Sequence, residues 1–206
     1  MQGMSIDRNP IAVAITGASG SAYALRLIEC LIRGGERLYL MISQAGQVVL
    51  RMESGLELPA QPGEAQQILS ERFDAAPGQL QVFGRQQWMA PVASGSNPPR
   101  AMVVCPCTTG TLSAIACGAS NDLMERAADV VLKERRKLIL VVRETPFSDI
   151  HLENMLKLSR MGAIIMPANP GFYNQPSSVD EIVDFMVSRI LDQLDIENRL
   201  SPRWGE

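Results

Sequence analysis

Residues 11–22 read I-A-V-A-I-T-G-A-S-G-S-A. The run over 11–16 is short, rich in β-formers and unalternated, as expected of a strand covered on both faces. It leads directly into a glycine turn and then into an amphipathic helix whose polar stripe is Arg26, Glu29 and Arg33. Gly34-Gly35 ends that helix. A buried strand turning straight into a helix is the opening unit of a parallel α/β sheet.

The same alternation continues along the chain. The sequence predicts strands over 38–43, 80–83, 101–107, 138–142 and 163–166. Between them it predicts helices over 44–53, 64–73, 109–117, 122–136 and 148–161, and a last long helix opening at the capping box Ser178-Val-Asp-Glu181. The core face of that helix is expected to be Ile182, Val183, Met186, Ile190 and Leu194. Buried strands alternating with amphipathic helices imply right-handed crossovers. The expected fold class is therefore α/β: a three-layer, doubly wound (Rossmann/flavodoxin-like), mainly parallel sheet with helices on both faces. One domain is expected over 1–206, with residues 1–9 flexible.

Composition narrows the function classes. The chain has 206 residues, a formal charge of −3, 46% apolar and 20% charged residues, which excludes a disordered chain. Mild acidity argues against a bulk electrostatic grip on nucleic acid or anionic lipid. No apolar run approaches the roughly 20 residues a spanning helix needs, and the N-terminal residues lack an apolar signal core, so a cytoplasmic protein without a membrane segment is expected. The four cysteines, Cys30, Cys105, Cys107 and Cys117, form no C-x-x-C pair, and His151 is the single histidine. That pattern speaks against structural zinc and for reduced, mostly buried thiols.

In a doubly wound sheet ligands sit outside the carboxyl ends of the strands, which picks out 17–21, 43–53, 108–111, 143–144 and 167–176. Gly17, Ala18 and Ser19 join a strand to a helix N-terminus, a natural seat for an anion; tight packing alone also explains the glycines. The G-x-G-x-x-G spacing is missing, and the second strand ends in Ser43 where a dinucleotide fold wants an acid for the adenosine ribose. NAD is disfavoured, and a mononucleotide such as FMN fits better. Thr108, Thr109, Gly110 and Thr111 repeat the design at a second edge, although such hydroxyls also simply cap helices. Arg143-Glu144 stands at a third strand end, as a ligand-facing pair or a salt-bridged rim. Arg126 and Lys133 share one helical face with Asp129 between them, and Asp129–Lys133 is also an ordinary i,i+4 pair. Glu53 closes the second helix, where a carboxylate is usually exposed. Tyr173 lies in the loop at the fifth edge, and Arg189 stands near Asp192 in the last helix.

Taken together, T-G-A-S-G at Thr16, C-P-C-T-T-G-T-L-S at Cys105, E-R-A-A-D-V-V-L-K-E-R-R at Glu125, V-R-E-T-P-F at Val142, H-L-E-N-M at His151, P-G-F-Y at Pro170 and P-R-W at Pro202 resemble the UbiX/Pad flavin prenyltransferases. The resemblance runs from Ile11 to Trp204 and is loosest over 55–99. It implies an enzyme that joins a dimethylallyl group from dimethylallyl monophosphate to N5 and C6 of reduced FMN, without a metal, and passes the product to a UbiD-type decarboxylase. It implies FMN contacts from Gly17, Ala18, Ser19, Ser43, Thr108, Thr109, Gly110, Thr111 and Arg143. The family often has Ser where Thr108 stands. It implies a grip on the allylic phosphate by Arg126, Lys133, Arg143, Tyr173 and Arg189, with Trp204 walling the pocket. Ser19, Glu53, Lys133 and Glu144 are the implied catalytic residues. It also implies a homododecamer with sites shared between subunits, serving ubiquinone synthesis or aromatic acid breakdown.

Two rivals share the fold. An FMN-dependent cysteine decarboxylase carries a catalytic histidine, a P-A-S-A-N-T segment and a P-x-M-N loop, whereas this chain has Cys-Pro-Cys-Thr-Thr-Gly and Pro-Ala-Asn-Pro; His151, early in a helix, suits capping or packing. A non-catalytic FMN-binding protein would keep the glycine and hydroxyl edges and need no cationic cage.

Overall fold

The structure is a computed structural model describing residues 9–203 and 205. The six strands among these residues are β1 (Ile11–Ile15), β2 (Leu38–Ile42), β3 (Leu80–Phe83), β4 (Ala101–Cys107), β5 (Lys137–Val142) and β6 (Ile164–Ile165). The helices are α1 (Ser21–Arg33), α2 (Gln44–Ser54), α3 (Pro62–Phe73), α4 (Thr109–Ala116), α5 (Leu123–Lys133), α6 (Asp149–Arg160) and α7 (Val179–Gln193), with a 3-10 turn at Pro91–Ala93.

All five strand pairs are parallel, in the order β3-β2-β1-β4-β5-β6. This is the Rossmann order, not the 2-1-3-4-5 order of flavodoxin, so of the two doubly wound layouts expected the first is realised. β1 alternates across the sheet: Ile11, Val13 and Ile15 enter one core with α1, α3 and α7, while Ala12 and Ala14 enter the other with α4, α5 and α6. Every β1 side chain is buried, and each fully buried Ile or Val contributes roughly 1.5–3 kcal/mol.

β4 departs from strict alternation. Cys105 faces the α1 side, and Cys107, two residues on, faces the α4 side. The register against β5 shifts between Val104 and Cys107. Pro106 interrupts the ladder there because it has no N–H to donate. This bend lies at the carboxyl edge, where the second hydroxyl-rich turn begins.

Several expected boundaries move. α5 stops at Lys133, and Arg135 turns the chain with a left-handed φ of 56°, so β5 begins at Lys137. β6 shortens to two half-buried residues at the sheet edge. On α7 the buried face is Val183, Met186, Val187, Ile190, Leu191 and Leu194, with Ile182 only half-buried. Ser178 accepts from the Glu181 N–H, but the Glu181 carboxylate turns to Ser177 instead of closing the expected box. A reciprocal box forms at α6: His151 Nδ1 accepts from the Ser148 N–H at 3.2 Å, and Ser148 Oγ accepts from the His151 N–H.

Arg26, on the expected polar stripe of α1, pairs with Asp184 of α7 at 2.6 Å and with Glu29 at 2.8 Å. The Cys105 and Cys107 thiols are fully buried, Cys30 is half-buried and Cys117 exposed. Burial pushes the Cys107 thiol up to about 12, so it stays protonated. Asn9 is described and donates to the Pro98 carbonyl; the rest of the 1–9 segment lies outside the described residues. Among the described residues no helix is long and apolar enough to cross a membrane.

Candidate active site

The strand order reverses between β1 and β4, so α1 and α4 pack on opposite faces of the sheet; in doubly wound sheets this switch point is where a ligand crevice opens. Thr16 forms its floor. Its hydroxyl donates to the Pro106 carbonyl at 2.6 Å and accepts from the Thr108 N–H at 2.9 Å.

One lip is Gly17, Ala18 and Ser19. Gly20 takes a φ of 113°, which lets the chain enter α1 within one residue. Gly17 is required by close packing: a Cβ there would lie 2.5 Å from the Ala45 Cβ of α2. The anion seat anticipated at this helix N-terminus holds a carboxylate of the chain itself. Glu53, at the far end of α2, accepts from the Gly20 N–H at 3.0 Å and the Ser21 N–H at 2.8 Å. Partial burial alone would raise its pKa, but hydrogen bonds from the Ser19 hydroxyl and these N–H groups outweigh it and lower the value. Glu53 is thus tied to the lip, which its position at a helix end did not reveal.

Ser43 caps α2 by accepting from the Gly46 N–H at 3.0 Å, while its own N–H donates to the Ile15 carbonyl. Gly46, which the sequence reading passed over, has no room for a side chain: a Cβ would meet that same carbonyl at 2.7 Å.

The opposite lip is Thr108, Thr109, Gly110 and Thr111. Thr108 Oγ1 accepts from the Thr111 N–H at 3.1 Å and shares a hydrogen bond with the Thr111 hydroxyl. The Thr109 hydroxyl donates to Glu144 at 3.5 Å, and Glu144 also accepts from the Thr145 N–H. Arg143 is anchored by its N–H to the Cys107 carbonyl, and its Nε is buried with no hydrogen-bond partner among the described residues. A buried guanidinium N–H without a partner is costly. Beside a hydroxyl-lined crevice it fits an oxygen-rich mononucleotide that would accept from it.

The expected phosphate-gripping residues do not join this crevice as one cluster. Tyr173 and Arg189 line a groove of about 420 Å³ on the α7 side, with Phe185, Asp192 and Arg203. Arg189 and Arg203 both pair with Asp192, at 2.7 and 2.8 Å. Burial opposes ionisation of Asp192, but hydrogen bonds from Arg203 and Asn198 hold its pKa below the usual value. Arg203 was missed by sequence reasoning, although it adjoins the Trp204 that was not.

Arg126 and Lys133 belong to α5, on the other face of the sheet. Arg126 donates to the Ala93 carbonyl and pairs with Asp129, and Lys133 pairs with Glu134, not with Asp129. Lys133 ends α5 just before β5 starts, whereas Arg143 follows the end of β5. A six-residue strand separates the two edges by ~20 Å, more than a lysine spans. Trp204 lies outside the described residues. Among those described, no group of three or more His, Cys, Asp or Glu side chains is placed to hold a metal ion.

A switch-point crevice with two glycine- or hydroxyl-rich lips defines a mononucleotide-binding α/β protein. Comparison with known proteins gives the family. The Flavoprotein family model matches residues 2–191. The flavin prenyltransferase UbiX of Pseudomonas aeruginosa is 59% identical over 196 residues, covering 95% of this chain and 94% of the relative. The UbiX of Halalkalibacterium halodurans is 47% identical over 203 residues, 98% of this chain and 97% of its own. The solved structure of AnUbiX (PadA1) in complex with FMN and dimethylallyl pyrophosphate superposes with a TM-score of 0.86 at 37% identity, covering 97% of this chain and 98% of that one. A dodecameric FMN-dependent UbiX-like decarboxylase from Escherichia coli O157:H7 gives 0.83 at 37% identity, over 96% and 99% of the two chains. The chain belongs to the flavoproteins and, within them, to the UbiX flavin prenyltransferase family.

Proposed function

We propose that this protein joins a dimethylallyl group from dimethylallyl monophosphate to N5 and C6 of reduced FMN. The donor's C–O bond breaks as its first carbon bonds to N5 and inorganic phosphate leaves. The C=C of the attached unit then takes up a proton and its third carbon bonds to C6, while N5 and C6 each release a proton. The observation that carries the reading is the crevice: two lips, a buried Arg143 Nε awaiting an acceptor, and two carboxylates tied to the rims. The 59% identity to a flavin prenyltransferase supports the same reaction.

When bound, FMN supplies the nucleophilic N5 and C6. In this reading Gly17, Ala18, Ser19, Ser43, Thr108, Thr109, Gly110 and Thr111 line its seat, and Arg143 donates to one of its oxygens. Glu53, hydrogen-bonded to Ser19 and held ionised by a lowered pKa, and Glu144, linked to Thr109, are assigned to accept the protons released at N5 and C6. A monophosphate leaves poorly, so the charge growing on it needs several cations at once; Arg126, Lys133, Arg143 and Arg189 with Tyr173 are assigned to it. Aromatic faces and exclusion of water suit the allylic fragment, a role given to Tyr173 and Trp204.

The position of Lys133 at the wrong edge of its own sheet supports a site completed by neighbouring copies, in an assembly like the dodecamer of the Escherichia coli relative. A UbiD-type decarboxylase is the proposed recipient of the product. The cytoplasm is the proposed compartment, in keeping with four unpaired cysteines. An FMN-dependent cysteine decarboxylase gains no support, since the His151 imidazole is engaged in capping α6. Anaerobic incubation with reduced FMN and dimethylallyl monophosphate should give a flavin heavier by one isoprenyl unit, with stoichiometric phosphate; unchanged flavin mass refutes the reading.

A further inference from the structure

Thr16 is only 1% exposed and stands just past the end of β1. The β1–β4 ladder pairs Ile11 through Ala14 with Ala101 through Val104 and stops there. Beyond that point Pro106 offers a carbonyl and no N–H. Thr16 spans the gap three times over. Its N–H donates to the Pro106 carbonyl at 3.3 Å, its hydroxyl donates to the same oxygen at 2.6 Å, and the hydroxyl accepts from the Thr108 N–H at 2.9 Å. A single hydroxyl therefore ties the residue just before one lip to the N-cap residue of α4 that begins the other.

We propose that Thr16 is a positioning residue for the flavin: its hydroxyl fixes the separation and alignment of the 17–19 and 108–111 lips. The inference rests on the reading that the crevice holds FMN. Two features make the hydroxyl irreplaceable by packing. The strand ladder cannot continue through Pro106, and Thr108 must keep a fixed backbone for its own Oγ1 to cap Thr111. Valine has the same shape but no hydroxyl, so it leaves the Thr108 N–H without its acceptor at the point where α4 is aimed. Serine keeps the hydroxyl and drops only a methyl group.

The test compares Thr16→Val and Thr16→Ser in the full-length protein. Thr16→Val should raise the dissociation constant for FMN about tenfold, lower kcat/KM for FMN in proportion and leave KM for dimethylallyl monophosphate within about twofold. Thr16→Ser should bind FMN within about twofold of the parent. A purely structural role would instead lower the melting temperature and the active fraction while the folded fraction bound FMN normally. FMN affinity in Thr16→Val equal to that of the parent overturns the proposal, as does an equal loss in Thr16→Ser. Should Thr16→Val not fold, amide hydrogen exchange in the parent decides: the Thr108 N–H should exchange slowly, and fast exchange there overturns the strap. Failure of the parent to bind FMN would overturn the functional reading instead, and the Thr108 amide would still report on the strap.

Discussion

The crevice and the cationic residues are built on different principles. Around the crevice, Thr16 holds Pro106 and Thr108, Gly17 abuts Ala45, Glu53 reaches Gly20 and Ser21, and Thr109 touches Glu144. These contacts join four strand ends of one chain. Arg126 and Lys133 sit on one face of the sheet, and Tyr173 and Arg189 on the other. Each of the three cations is paired with an acid of its own helix or the next residue. The contrast teaches that the crevice is built within one chain, whereas these cations do not converge within it; in the proposed reading the flavin seat belongs to the chain and the phosphate cage to an assembly.

The sharpest way to break this contrast is Lys133→Ala. It should lower turnover by ~10²–10³-fold while FMN affinity stays within about twofold. Mixed oligomers of Lys133→Ala and Arg143→Ala chains should recover activity that neither variant has alone, because some sites then receive both intact residues. No recovery on mixing would return Lys133 to its own chain's site or to folding.

Next in size is Gly17→Ala. Its Cβ would clash with Ala45, and overpacking of this kind costs about 1–3 kcal/mol. The variant should melt earlier and bind FMN more weakly, read by thermal unfolding and fluorescence titration. An unchanged melting temperature would mean that α2 does not close on the lip as described.

The smallest expected effect belongs to Glu53→Gln as a test of stability. The folded protein lowers the Glu53 pKa, so its contribution is present at neutral pH and lost as the pH falls below the usual value of about 4.5 through the lower folded one. A largely exposed charge at a helix N-terminus is worth about 0.3–1 kcal/mol. The parent should therefore lose that increment on acidification and Glu53→Gln should not, as followed by denaturant midpoints across the acid range. Parallel acid profiles would remove Glu53 from the α1 N-terminus.

Much of this was legible in the residues. The unalternated run over 11–16 announces a doubly covered strand, and the Gly and Thr turns after β1 and β4 announce helix starts at one sheet edge. Other features were not. Glu53 reads as a surface acid because its partners lie more than thirty positions earlier in the chain. Thr16 reads as the last residue of a strand because nothing local shows that Pro106 stands opposite it. Gly46 carries no signal in the sequence, and only the approach of the Ile15 carbonyl shows why no Cβ fits.

Hydrophobic period and turn chemistry are local, so the order of strands and helices, and the edge at which the glycine- and hydroxyl-rich turns collect, were already written in the chain. Which strands become neighbours, how Thr16 bridges a broken ladder and on which face each cation stands depend on contacts between residues far apart in sequence. Those contacts form only when the two cores pack, and it is packing that placed Lys133 at the far edge from Arg143.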